Sequence, residues 1–242
     1  MIKRTAKRAM YLTYRRVNNF ESGTTVALQA IPEFYAKTRR EVIFYEEIKK
    51  RLKEEKLVHD VWKYFLYEAS DMRMRMDAYG QNDLILQMPI LHGTISASKV
   101  SKVFEQWIED TGTDLSRYAF MIEAENMNAP SKTLLSNLAY IKEQGAKLVL
   151  VDYTGVEPFR EEDLGVRFDV IQTSPIILDR MDRNVQDTLK EIVKEEYELQ
   201  ADGIDSDDYN EMLEKMKFKT ICGEYAGAFL SDSDILKDIG AK

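Results

Sequence analysis

Two short apolar runs, each stopping abruptly at a carboxylate, restrict what this chain can fold into more than anything else in it. They are Tyr118-Ala-Phe-Met-Ile-Glu-Ala-Glu-Asn126 and Leu148-Val-Leu-Val-Asp-Tyr-Thr-Gly155. Between them Pro130 and Ser131 open a helical pattern through Leu134, Leu135, Leu138 and Ile141, and Gly145 closes it. That is a strand–helix–strand unit with acids at the carboxyl ends of both strands, where parallel sheets and α/β barrels place their sites.

The rest of the chain extends the alternation. Met10–Tyr14 and Thr24–Ile31 read as strands joined by the turn residues Asn18-Asn19 and Glu21-Ser-Gly23, which predicts a hairpin. The charged stretch from Arg39 to Lys56 predicts an exposed helix. Leu57, Val58, Val61, Trp62, Phe65, Leu66 and Ala69 recur at helical spacing, and Met72, Met74 and Met76 read as the tail of that helix. Leu84–Ile90 is a buried strand with Pro89 at its end, where the missing N–H does not break the ladder. Ser96 or Ser98 is expected to cap a helix through Val100, Val103, Phe104, Trp107 and Ile108. Val166–Gln172 and Phe218–Cys222 read as further strands, with a helix through Val185, Leu189, Ile192 and Val193 between them. The acidic segment Asp202–Asp208 lacks the glycine and the terminal glutamate of a calcium loop and reads as a solvated loop capping the next helix. Ser231 caps a last helix ending at Gly240. A hairpin followed by alternating strands and helices predicts one α/β domain over residues 1–242, a barrel or a doubly wound sheet; 242 residues suit a small barrel.

Several chemistries are disfavoured. A net charge of −8 argues against a general nucleic-acid binder, although Lys3, Arg4, Lys7, Arg8, Arg15 and Arg16 form a local basic start, read as a solvated edge. The single cysteine, Cys222, excludes internal disulfides and cysteine-rich zinc sites, and points to a reducing, cytoplasmic setting. No apolar run reaches the roughly 18 residues of a membrane span, and no signal peptide opens the chain. There is no glycine-rich phosphate loop, no Gly-x-Ser-x-Gly and no paired histidine motif; His59 and His92 have no partner at motif spacing. Strand-end carboxylates remain: Glu123, Glu125 and Asp152 could begin a site for a hard cation, which needs several converging oxygen ligands.

At this point the order of elements resembles the EAL domain, a barrel whose active members hydrolyse cyclic di-GMP (c-di-GMP) with two divalent metals. Leu12-Thr-Tyr-Arg-Arg-Val17 resembles the opening strand with Tyr-Gln-Pro-Ile, and Gly23–Ala30 the segment carrying Glu-Ala-Leu-Leu-Arg. Leu84–Pro89 is similar to the strand ending Asn-x-Ser, and Ile122–Asn126 to Glu-x-Thr-Glu. Gly145–Tyr153 is similar to the Asp-Asp-Phe-Gly strand, Phe168–Gln172 to Asp-x-x-Lys-x-Asp, and Thr220–Tyr225 to Ala-Glu-Gly-Val-Glu. The resemblance implies a TIM-like (β/α) barrel of EAL type; the strand carrying Gln-Gly is not found, so the barrel is expected to be incomplete at its C-terminal strand.

Carried across, the resemblance puts Val26 at a metal-binding glutamate, Ala30 at a phosphate-gripping arginine, Gln87 at the asparagine ligand, Val151 at the first aspartate, Gln172 at the lysine and Gly223 at the late glutamate. Only Glu123 (Glu125 in the other register) and Asp152 remain as metal ligands, with Arg15 as a phosphate contact in principle. Two metals about 4 Å apart need charge to hold them. The resemblance therefore implies a degenerate bacterial domain with no functional catalytic residue, no phosphodiesterase activity and no cofactor, regulating through a protein partner, with a homodimer expected. The alternatives are a non-hydrolysing sensor of c-di-GMP or another nucleotide, and a divergent phosphodiesterase using Mg or Mn with Glu123, Glu125, Asp152 and Glu224.

Overall fold

The computed structural model describes residues 10–36, 41–44, 57–91 and 93–240. The basic residues Lys3, Arg4, Lys7 and Arg8, His92, and all of the expected 39–56 helix except residues 41–44 lie outside them. Nine strands form one sheet: β1 (Met10–Asn19), β2 (Thr25–Ala36), β3 (Glu41–Phe44), β4 (Ile85–Pro89), β5 (Tyr118–Glu123), β6 (Lys147–Tyr153), β7 (Val170–Thr173), β8 (Glu198–Ala201) and β9 (Thr220–Ile221). Their order is β1-β9-β8-β7-β6-β5-β4-β2-β3, and β1 also pairs with β2, so eight strands close into a barrel and β3 extends β2 outside it. β1 runs antiparallel to both neighbours, while the ladders from β2 through β4 to β9 are parallel. The barrel is thus of mixed sense, and the carboxyl ends of its parallel strands meet the amino end of β1.

The outer layer follows from helical periodicity. α1 (Val58–Ala78) buries Val61, Trp62, Phe65, Leu66, Ala69, Met72 and Met76, a stripe at three- and four-residue spacing, and leaves Met74 62% exposed. The methionines are therefore helix tail, as their spacing predicts. Trp62 meets the ring of Phe104 edge-on at 5.3 Å, and Phe104 meets Phe120 of β5 at 5.0 Å. These aromatic contacts seat α1 and α2 (Val100–Thr111) on the sheet. In α3 (Lys132–Glu143) the Ser131 side chain accepts from the Leu134 N–H, the cap expected from the sequence. α4 (Glu161–Leu164), α5 (Pro175–Asp179), α6 (Arg183–Lys194), α7 (Asn210–Lys215) and α8 (Asp232–Gly240) complete the coat. His59 lies on the exposed side of α1.

Several expectations change. Residues 41–44, inside the expected charged helix, form β3. Neither Ser96 nor Ser98 caps α2; its N-cap is Lys99, with no side-chain hydrogen bond. The strand expected at Val166–Gln172 starts only at Val170; just before it, the Asp169 N–H donates to the Leu148 carbonyl and its carboxylate accepts from the Leu148 N–H and from Lys142, which ties it to β6 and α3. β8 has no apolar run to announce it: its inward residue is a glutamine. The C-terminal strand is present. β9 is only two residues long, yet it pairs with both β8 and β1 and closes the barrel that the sequence had predicted to be open.

Just after β9, Gly223 has φ +135°, and a Cβ there would lie 2.4 Å from the Ile204 carbonyl oxygen and 2.5 Å from its nitrogen. No side chain fits. Gly223→Ala is expected to cost about 3 kcal/mol from backbone strain and overpacking combined, read as a lower urea midpoint with unchanged slope.

Candidate functional site

Alternate residues of each strand point into the barrel, and this chain places amides there. Gln29 (β2), Gln87 (β4), Gln172 (β7) and Gln200 (β8) are each at most 5% exposed. Gln29 Nε2 donates to Gln172 Oε1 at 2.9 Å and Gln87 Nε2 to Gln200 Oε1 at 3.1 Å, bonds that cross the barrel between non-neighbouring strands. Gln200 Nε2 donates to Gln172 Oε1 at 2.7 Å, and Thr220 Oγ1 to Gln200 Oε1 at 3.3 Å. A buried amide left unpaired costs about 1–3 kcal/mol, so these groups are tolerable only because they satisfy one another.

Above them sits an ion pair between a buried arginine and a half-buried aspartate. Arg15 (β1) donates from Nε to Gln29 Oε1 at 2.6 Å, and its Nη2 lies 2.8 Å from each oxygen of Asp202. Asp202 also accepts from Gln172 Nε2 (2.9 Å), from its neighbour's backbone at Gly203 N (2.6 Å) and from Cys222 Sγ (3.4 Å). Burial works against the Arg15 charge, but the carboxylates of Asp202 and Asp152 outweigh it and the guanidinium pKa is raised. Burial drives the Cys222 thiol upward, so it stays protonated and donates. The Phe229 ring stacks on the guanidinium, its centroid 4.9 Å from Cζ.

Beyond this pair a cavity of about 410 Å³ opens at the carboxyl ends of the strands. Apolar Ile31, Pro32, Ile90, Leu91, Met121 and Val151 line much of it, and Glu123, Asp152, Asp202 and Arg15 bring the charge. Asp152 has φ +57°, a left-handed conformation that sits where the β6–β7 register shifts between Leu150 and Tyr153. Such a backbone is uncommon outside glycine and is tolerated best by Asn and Asp.

The sequence-derived residues separate cleanly on this geometry. Glu123, Asp152, Arg15, Ala30, Val151 and Gln172 line the cavity, and Gln87 lies buried in the barrel among the amides. Glu125 is exposed on the one-turn helix after β5, so Glu123 is the acid the structure brings to the mouth. Glu224 is exposed, and Gly223 is fixed by Ile204. Val26 does not reach the mouth; it packs on the small cluster of Val17, Ala27 and Cys222. The first residue of β2 to line the mouth is Gln29, and from it the chain reads Gln29-Ala-Ile-Pro-Glu33, the spacing of Glu-Ala-Leu-Leu-Arg with an amide for the first acid. Asp202, read from the sequence as part of a solvated loop, is the principal acid of the site. The segment Ala201-Asp-Gly-Ile-Asp205 that follows β8 repeats the pattern Ala-Glu-Gly-Val-Glu better than Thr220–Tyr225 does, and that pattern could have found it.

The divalent metals implied by the resemblance do not fit these residues. Among the described residues no three His, Cys, Asp or Glu side chains converge so as to hold a metal ion. The oxygens of Gln29, Gln172 and Gln200 already accept hydrogen bonds, and a guanidinium holds Asp202.

No family model and no curated protein matches the sequence. Solved structures match the fold closely. The phosphodiesterase PaMucR in complex with c-di-GMP aligns with a TM-score of 0.84 at 13% identity, over 96% of this chain and 97% of that one. An EAL domain protein from Listeria monocytogenes EGD-e gives 0.79 at 15% identity, over 98% and 96% of the two chains. The chain has the EAL-domain fold. A third EAL structure, the FimX domain from Pseudomonas aeruginosa bound to c-di-GMP, gives 0.77 at 11% identity over 95% and 93%. At these identities the likeness is one of EAL fold, so the chemistry has to be argued from the residues in the mouth.

Gln172 is the node of the amide network. Gln172→Leu removes the acceptor of Gln29 and Gln200 and one donor to Asp202, and is expected to destabilise by about 3 kcal/mol in urea unfolding.

Proposed function

We propose that this chain is a catalytically silent EAL-fold domain, acting through a protein partner as a regulatory module in c-di-GMP-related signalling. The observation that carries the reading is the state of the mouth: its best-placed carboxylate, Asp202, is saturated by Arg15, Gln172, Gly203 and Cys222. Hydrolysis through a metal pair needs ligands free to hold the ions and to lower the pKa of an attacking water. Gln29 and Gln172 carry no charge and are already hydrogen-bonded to each other. The reading includes no cofactor, a single domain, a cytoplasmic setting, no nucleic-acid partner and a homodimer. Among the described residues no helix is long and apolar enough to cross a membrane.

A second reading, a sensor that binds c-di-GMP without cleaving it, draws support from the cavity of about 410 Å³ and from similar structures solved with that ligand. The state of Arg15 opposes it: this guanidinium of the cavity lining is already engaged by Asp202 and Gln29, so an anionic ligand would have to displace a carboxylate to reach it. The divergent phosphodiesterase is opposed by the engagement of Asp202 with Arg15 and Gln172 and by the exposed positions of Glu125 and Glu224.

The test is incubation with c-di-GMP and Mg or Mn, followed by calorimetry for binding and chromatography for the linear dinucleotide. Neither heat nor product is expected. Product formation that disappears in Glu123→Ala would contradict the proposal, and heat without product would favour the sensor.

A further inference from the structure

The misfit between this mouth and a metal pair has a specific physical form. The positive charge at the carboxyl end of the barrel comes from a side chain. Arg15 sits in β1, is 8% exposed, and reaches both ways across the mouth, to Gln29 on β2 and to Asp202 just after β8. A buried guanidinium persists only if paired, and its partner Asp202, half-buried, is held by three further donors. Asp152 also adds to the electrostatic stabilisation of the guanidinium. The Gln29 amide on one side and the Asp202 carboxylate on the other fix its orientation, and Phe229 covers one face of it.

We infer that Arg15 is a built-in counter-cation which takes over the electrostatic role of a metal in this barrel and makes its folded state independent of divalent ions. A guanidinium suits the place because its planar donors are directional, engaging an amide oxygen and a carboxylate at once. A metal there would have to displace Arg15 from Asp202 and strip the Gln29 oxygen of its donor.

The inference rests on the non-hydrolytic reading of the same site, and thermal unfolding of the full chain tests it without activity. The wild-type Tm is expected to be the same with Mg, Mn or EDTA; a rise in Mn overturns the inference and needs no variant. Arg15→Ala is expected to lower Tm by about 10 °C. Part of that loss should return in low-millimolar methylguanidinium, and none in sodium chloride of equal ionic strength. A variant as stable as wild type, or one that methylguanidinium does not help, also overturns the inference. The two ideas fail separately. A Tm raised by Mn without c-di-GMP cleavage removes the counter-cation alone, and cleavage removes the proposed function.

Discussion

The contact between Arg15 and Asp202 is the interaction on which the rest of this barrel depends. It joins the first strand to the segment after the eighth, across the mouth, inside a protein where an isolated charge of either sign would be prohibitive. Everything nearby is arranged to keep it. Gln29 and Gln172 hold the two partners, the Cys222 thiol and the Gly203 amide complete the carboxylate's shell, and Gln87, Gln200 and Thr220 extend the chain of hydrogen bonds into the barrel. The interior is therefore polar in its middle and apolar at its flanks, where Ala119, Met121, Val149 and Val170 pack on one side and Val17, Ala27 and Cys222 on the other.

Such a network is stable only as a whole. Removing one member leaves buried donors or acceptors unpaired on two or three strands at once, which is why the glutamines, individually ordinary, act as a set. On the proposed reading, the same completeness leaves no free ligand set for a metal-dependent hydrolase. The architecture of the phosphodiesterase PaMucR is kept over nearly the full chain at about one residue in eight identical, while the mouth of this barrel holds an internal salt bridge.

Most of the fold was legible from periodicity and punctuation. The strand–helix–strand unit from Tyr118 to Tyr153, the hairpin and the long helix through Trp62 follow from apolar spacing and from Ser131 and the turn residues. What escaped is polar or short. β8 reads as polar because Gln200 faces a polar interior, and β9, inside the strand expected at Phe218–Cys222, does not read as the strand that closes the barrel because it is only two residues long. Glutamine at an inward position gives no periodic signal, so Gln87 and Gln172 passed as replaced ligands and Gln29 and Gln200 went unremarked. Asp202 was hidden inside a run of surface acids, and its place in Ala201-Asp-Gly-Ile-Asp205 and its partner Arg15, 187 residues earlier, distinguish it from Asp205 and Asp208. The shift from Val26 to Gln29 reflects the same limit: which residue of a β-strand faces inward is a register question, and a bulge in the β1–β2 hairpin between Val17 and Asn18 alters the pairing near its turn.

The central claim is that Arg15 and Asp202 stabilise the fold through each other. A double-mutant cycle with Arg15→Met and Asp202→Asn in urea measures that directly. The account predicts that each single variant is strongly destabilised and that the double variant recovers much of the loss, with a coupling energy of about 3 kcal/mol. Additive effects, with coupling near zero, would mean that the pair is incidental to the barrel and would contradict the account.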